Sequence, residues 1–211
     1  MTPLAALFEH RLVPVVVVDD AGTATGLAEA LMAGGLPVAE VTFRTPAARD
    51  AIKAMAAHGG VLVGAGTVRT PAQVDQAVEA GAQYIVSPGL SVAVVRRCQE
   101  LGVPVLPGAV TATEVQAASE LGLDTVKFFP AETSGGVAAI KALAAPFGDV
   151  RFVPTGGVGP KNLADYLAVA SVAAVGGSWM CPRDLLAAGD YAALEKLTRE
   201  AVALVRSIEE S

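Results

Sequence analysis

The stretch VAEVTFRTPAARDAIKAMAAHGGVLVGAG, residues 38–66, holds one complete strand–helix–strand unit. Val38–Phe43 is a short β-branched run of strand length. Thr45-Pro46 follows it, with the proline suited to the first turn of a helix. The Ala-rich segment beyond has helical periodicity, and Gly59-Gly60 marks its exit just ahead of Val61–Gly66, the next apolar run. A strand that is followed by a helix and a second strand reads as a parallel pair, because parallel neighbours need a crossover.

Outward from this unit the same pattern recurs in both directions. Apolar runs stand at Val13–Val18, Val38–Phe43, Val61–Gly66, Gln83–Val86, Val103–Leu106, Thr125–Phe128, Arg151–Thr155 and Val172–Val175. Thr70-Pro71 and Gly159-Pro160 repeat the helix-start signal, and Gly34-Gly35, Gly81, Gly102 and Gly122 repeat the exit. Eight such units in 211 residues predict an α/β fold of the (β/α)8 type, a TIM barrel. A helix over 4–11 is expected before the first strand and another over 191–208 at the end. An open doubly wound sheet is the rival architecture. Its dinucleotide-binding form would want Gly-x-Gly-x-x-Gly after the first strand, and none stands there. No linker or low-complexity tract interrupts the pattern, so residues 1–211 are expected to form a single barrel domain.

Composition narrows the partners. A net charge of −6 and a pI near 4.9 argue against a general nucleic-acid or anionic-membrane partner. The longest charge-free stretch, 166–182, contains Gly176-Gly177, Ser178 and Pro182 and makes a poor membrane span. No signal-peptide layout opens the chain, since Glu9, His10 and Arg11 precede an apolar run that Asp19-Asp20 soon stop. Cys98 and Cys181 have neither metal nor redox spacing and read as buried free thiols. A soluble, cytoplasmic protein is expected.

The chemistry collects at strand ends, where a barrel carries its active site. Lys127 lies in the apolar run Thr125–Phe128, where an ammonium must be paired or must surrender its proton. Either it snorkels to water or it is a desolvated nucleophile of the kind that forms Schiff bases. The other four lysines, Lys53, Lys141, Lys161 and Lys196, fall in or beside helical segments. Strand alternation puts Thr125, Lys127 and Phe129 on one face, and Glu40, Thr42 and Arg44 on one face of the second strand. Glu40 and Arg44 either form a structural pair or place a carboxylate inside the barrel and a carboxylate-binding fork at its mouth.

Gly64-Ala65-Gly66-Thr67 gives small residues and a rim hydroxyl, while Ser87-Pro88-Gly89 is a tight rim turn or only a turn. Two glycine pairs, Thr155-Gly156-Gly157 and Gly176-Gly177-Ser178, follow the seventh and eighth runs, the place of a barrel phosphate site. His10 and His58 lie away from the predicted strand ends, which disfavours a histidine metal centre or Ser-His machinery. Trp179 and Phe128 read as packing residues; Asp19 and Asp20 end the first strand, where either could reach the site, and read better as helix caps.

With these motifs placed, the chain resembles the bacterial KDPG/KHG aldolase family (2-keto-3-deoxy-6-phosphogluconate and 4-hydroxy-2-oxoglutarate aldolases). Six ordered motifs carry the resemblance: Glu40–Thr45, Gly64–Val68, Ser87–Gly89, Val126–Glu132, Pro154–Val158 and Gly176–Trp179. It implies a metal-independent class I aldolase without cofactor, typically a homotrimer, acting on a small keto acid phosphate. Lys127 then matches the Schiff-base lysine and Glu40 the general acid/base. Arg44 and Thr67 match the groups holding the pyruvyl carboxylate, Phe129 packs beside the pyruvyl portion, and Pro88 lies at the rim. Thr155 matches a contact to the C4 hydroxyl, and Gly156, Gly157, Gly177 and Ser178 match the phosphate cradle.

The implied substrate is 2-keto-3-deoxy-6-phosphogluconate, cleaved to pyruvate and glyceraldehyde 3-phosphate. Within the family the alternatives are its galacto epimer and 4-hydroxy-2-oxoglutarate. Outside it stand a phosphosugar epimerase or isomerase and a noncatalytic phosphometabolite-binding barrel, neither of which needs Lys127.

Overall fold

The computed structural model describes residues 3–210. Its strands are β1 (Leu12–Val16), β2 (Val38–Thr42), β3 (Leu62–Gly66), β4 (Tyr84–Val86), β5 (Val105–Leu106), β6 (Thr125–Phe128), β7 (Arg151–Pro154) and β8 (Val175–Gly177). The helices are α1 (Pro3–Glu9), α2 (Ala24–Ala33), α3 (Ala48–His58), α4 (Pro71–Glu79), α5 (Val92–Leu101), α6 (Ala112–Glu120), α7 (Gly136–Ala144), α8 (Leu163–Leu167), α9 (Arg183–Ala188) and α10 (Tyr191–Glu209). Six strands pair in the order β5-β4-β3-β2-β1-β8, and β6 pairs with β7, all in parallel.

Isolated parallel bridges close the ring at the two remaining seams: Gly108 with Lys127, and both Phe152 with Val172 and Thr155 with Gly176. The Lys127 amide donates to Pro107 O (2.8 Å) and the Ala109 amide to Lys127 O (2.9 Å), so the strand that carries the lysine is held from both sides. The barrel is therefore closed, as the βα repeat predicts, and the open doubly wound alternative falls away.

Local chemistry explains the helix ends. Thr70 accepts from the Gln73 amide with Pro71 in the first turn, and Ser91 accepts from the Val94 amide. Thr111 and Glu114 form a complete capping box at the start of α6. Gly102 closes α5 in the left-handed conformation that glycine adopts without strain.

Two start signals act later than their prolines suggest. Pro46 and Pro160 sit in turns, and α3 and α8 begin at Ala48 and Leu163. The eighth strand also starts later than expected. Val172 makes only a bridge to Phe152, and β8 proper is Val175–Gly177, so the glycine pair Gly176-Gly177 forms the strand instead of following it. Its backbone pairs with Leu12–Pro14 of β1, a ladder that needs no bulky side chains.

Residues of opposite parity to Lys127 face the helices. Phe128 and Phe152 meet edge to face with centroids 6.4 Å apart, both fully buried, which confirms Phe128 as packing. Trp179 is half-buried and stacks over the Gly177 backbone. Among the described residues, no helix is long and apolar enough to cross a membrane.

Candidate active site

Lys127 and Glu40 meet inside the barrel. The lysine Nζ lies 2.9 Å from Glu40 Oε1 and 3.3 Å from Oε2, and both side chains are at least nine-tenths buried. The partner of Glu40 is thus the lysine, and the alternative Glu40–Arg44 pair does not form. A buried pair of this kind gains little net stability, because desolvation offsets most of the Coulomb attraction. What it does provide is a proton acceptor within hydrogen-bond reach of an amine. Proton transfer along that bond leaves a neutral nucleophile beside a carboxylic acid. Phe129 covers the amine from the mouth, its ring centroid 5.4 Å from Nζ.

The space for Glu40 is made by β3. A Cβ on Gly66 would stand 2.2 Å from Glu40 Oε1, and one on Gly64 would stand 2.3 Å from the ring of Tyr84. Tyr84 is the residue that sequence reasoning passed over. It fills the barrel below the pair and donates its hydroxyl to Ala39 O at 2.8 Å, bracing the backbone next to Glu40. Burial, and then the Glu40 charge, push its phenol well above the ordinary tyrosine value, so it remains a neutral donor. An aromatic in a run beside the strand whose Gly64 leaves room for its ring was the signal available.

Past the strand ends opens a cavity of about 310 Å³ lined by Arg44, Phe129, Thr155, Gly156, Gly157, Gly177 and Ser178, together with Val15, Val17, Val158, Cys181, Pro182 and Arg183. Seven of the expected site residues are thus brought together around one space. Arg44 follows the end of β2 and Phe129 the end of β6, so both reach the mouth from the first residues past their strands. Thr42, which shares the parity of Glu40, turns its hydroxyl to Val16 O instead (2.9 Å).

Four expected site residues, Lys127, Glu40, Thr67 and Pro88, are not part of the cavity wall, and Phe129, which covers the lysine, links the pair to it. Thr67 accepts from Arg44 Nε at 3.4 Å and is held at φ 57°, a left-handed conformation uncommon for threonine. Pro88 is half-buried at the rim, its carbonyl packed against Gly108. Gly156 (φ 97°) and Gly157 (φ 80°) turn the chain through conformations open to glycine, exposing backbone to the cavity. Glu132 underlies this loop. Its amide donates to Gly156 O (3.1 Å), and its carboxylate accepts the Tyr166 hydroxyl.

Of the two expected caps, Asp20 does cap, accepting from the Gly22 amide at 2.9 Å. Asp19 does not. It takes Arg183 in a two-pronged ion pair at the rim of the cavity, which holds its carboxyl below the ordinary range through the hydrogen bond from the guanidinium. Cys98 and Cys181 are buried free thiols, each pushed up to about 12 by burial. His58 pairs with Glu29 outside the barrel (3.6 Å), and neither histidine reaches the cavity.

Fold and site together define a (β/α)8 barrel with a buried lysine–carboxylate pair covered by Phe129, and a mouth cavity lined by two glycine loops. The family model described as KDPG and KHG aldolase matches residues 5–197. The chain belongs to that family. It is 50% identical over 192 residues to a KHG/KDPG aldolase of Escherichia coli K12, covering 90% of each chain. A KDPG aldolase from Legionella pneumophila, with pyruvate captured at low pH as a covalent carbinolamine intermediate, superposes with a TM-score of 0.91 at 37% identity, over 95% of this chain and 98% of that one. The 2-keto-3-deoxy-6-phosphogluconate aldolase of Zymomonas mobilis with 3-phosphoglycerate superposes at 0.89 with 44% identity, over 95% of both chains.

Proposed function

We propose that this protein is a class I aldolase that cleaves 2-keto-3-deoxy-6-phosphogluconate reversibly to pyruvate and glyceraldehyde 3-phosphate. The observation that carries the reading is the buried contact of Lys127 Nζ with Glu40 at 2.9 Å, covered by Phe129, which also lines the cavity that the two glycine loops share. The captured pyruvate carbinolamine of the Legionella relative supports it. One catalytic domain over residues 1–211, cytoplasmic and assembled as a homotrimer, completes the proposal.

In this mechanism Lys127 passes its proton to Glu40, and the neutral amine attacks the C2 carbonyl of the keto acid. Glu40 returns the proton as water leaves, and a protonated imine remains. Arg44, braced by Thr67, holds the C1 carboxylate with its planar fork, and Phe129 packs beside the pyruvyl carbons. Glu40 then takes the proton of the C4 hydroxyl, which Thr155 orients. The bond between C3 and C4 breaks, its electrons flow into the imine, and glyceraldehyde 3-phosphate departs. The resulting enamine takes a proton at C3, and hydrolysis releases pyruvate and restores Lys127. The neutral enamine stands in for a carbanion that water could not stabilise. Gly156, Gly157, Gly177 and Ser178 offer the phosphate a backbone cradle beside the strand ends, and Pro88 shapes the opposite rim.

Borohydride added with pyruvate is expected to leave a reduced three-carbon adduct on Lys127, read by peptide mass spectrometry. Turnover with Lys127 unmodified would sink the imine mechanism. The double name of the Escherichia coli relative favours 4-hydroxy-2-oxoglutarate as a second substrate. Side-by-side kcat/KM values rank the two, and the galacto epimer belongs in the same series.

A further inference from the structure

We propose that Arg183 is a specificity-determining residue that reads the phosphate of the substrate, an inference that rests on the aldolase reading above. Among the described residues lining the cavity, Arg44 and Arg183 are the charged side chains, and both are cationic. Arg44 stands over Thr67 at 3.4 Å, committed to the carboxylate end. Arg183 lines the same cavity as Gly156, Gly157, Gly177 and Ser178 and follows the second glycine loop closely in the chain. Backbone amides present only partial charges, whereas a phosphate monoester brings nearly two full negative charges to a chain already at −6. A full cation beside the cradle offsets that repulsion where the phosphate must sit.

The geometry prepares Arg183 for this work. Asp19, in the loop after β1, binds Nε at 2.5 Å and Nη2 at 2.6 Å, one N–H from each. A guanidinium has five N–H donors, so three remain unspent. Asp19 offsets part of the charge, yet it also fixes a side chain that would otherwise lose rotamer freedom on meeting a ligand. From behind, the Cys181 amide donates to Ser178 O at 3.1 Å and Met180 and Cys181 are buried, which ties the position of Arg183 to the glycine loop. Asp19 is therefore a positioning residue and Arg183 the phosphate contact.

The test compares cleavage of 2-keto-3-deoxy-6-phosphogluconate with that of 2-keto-3-deoxygluconate, identical but for the phosphate. The chains are wild type, Arg183→Gln, Arg183→Lys and the outer-surface control Arg96→Gln, at low and physiological ionic strength. Because Arg183 is largely exposed and screened, Arg183→Gln is expected to lower kcat/KM for the phosphorylated acid by about fivefold to tenfold, mostly through KM. The unphosphorylated acid should change by less than about twofold, since no charge faces the missing group. Arg183→Lys should fall between, and the loss should shrink as salt rises.

An unchanged ratio between the two substrates overturns the proposal, as does an equal loss on both. The same drop in Arg96→Gln overturns it too, because net charge alone would then be responsible. A wild-type chain that fails to cleave the phosphorylated acid at all sinks the aldolase reading, and this inference with it.

Discussion

At the scale of single residues, Lys127 and Glu40 are kept for chemistry and not for stability. Removing one partner leaves an uncompensated buried charge, at a cost of about 3–5 kcal/mol, whereas an apolar pair of equal volume would serve the fold as well. The carboxylate owes its position to an absent side chain. A methyl group on Gly66 would fall 2.2 Å from Glu40 Oε1, so the carboxylate must leave its contact with Nζ. Gly66→Ala is therefore expected to lower kcat by at least about a hundredfold, the usual share of a positioned acid/base group. Far-ultraviolet circular dichroism should show the barrel retained, since the colliding atoms belong to a side chain and not to the backbone. A kcat within a factor of a few of wild type would show that Glu40 tolerates displacement.

At the scale of elements, each βα unit is set by its own caps. The Thr111–Glu114 box satisfies two amides at the start of α6, and Glu114 also accepts from the Val110 amide (2.9 Å). Those bonds hold its carboxyl below the ordinary range although burial pushes the other way. Thr111→Ala should cost about 1 kcal/mol, or roughly 2–4 °C in Tm for a chain this long, with kcat/KM unchanged. Calorimetry beside steady-state kinetics checks both halves, and a large kinetic effect would tie α6 to the site.

At this same scale the sequence was most legible where a turn residue acts within its own unit, as at Thr70-Pro71 or Gly102. It was least legible at β8. Val172–Val175 has the composition of a strand, but the ladder forms three residues later. Pairing with β1 fixes the register there, and the flat glycines pair as well as the valines.

At the scale of the molecule, closure of the ring brings Glu40 of β2 against Lys127 of β6, 87 residues apart in the chain. The helices carry the remaining surface, and the proposed homotrimer would bury part of it. Sedimentation equilibrium at micromolar concentration should return three times the 21.3 kDa chain mass. A single-chain mass with full activity would show that the catalytic unit is the isolated barrel and would overturn the proposed homotrimer.

The sequence by itself determined the eight βα units and the faces that Glu40 shares with Thr42 and Arg44, and Lys127 with Thr125 and Phe129. It also placed the glycine pairs at neighbouring strand ends. All of these follow from local periodicity and turn chemistry. Only the tertiary structure decided which charges pair. Glu40 chose Lys127 over Arg44, four residues away, because the alternation that points the carboxylate inward carries the arginine past the strand end to the mouth. Asp19 left the capping role its neighbour keeps and crossed to Arg183, 164 residues on. Partner choice of this kind depends on distances set when the barrel closes, and no window of sequence contains them.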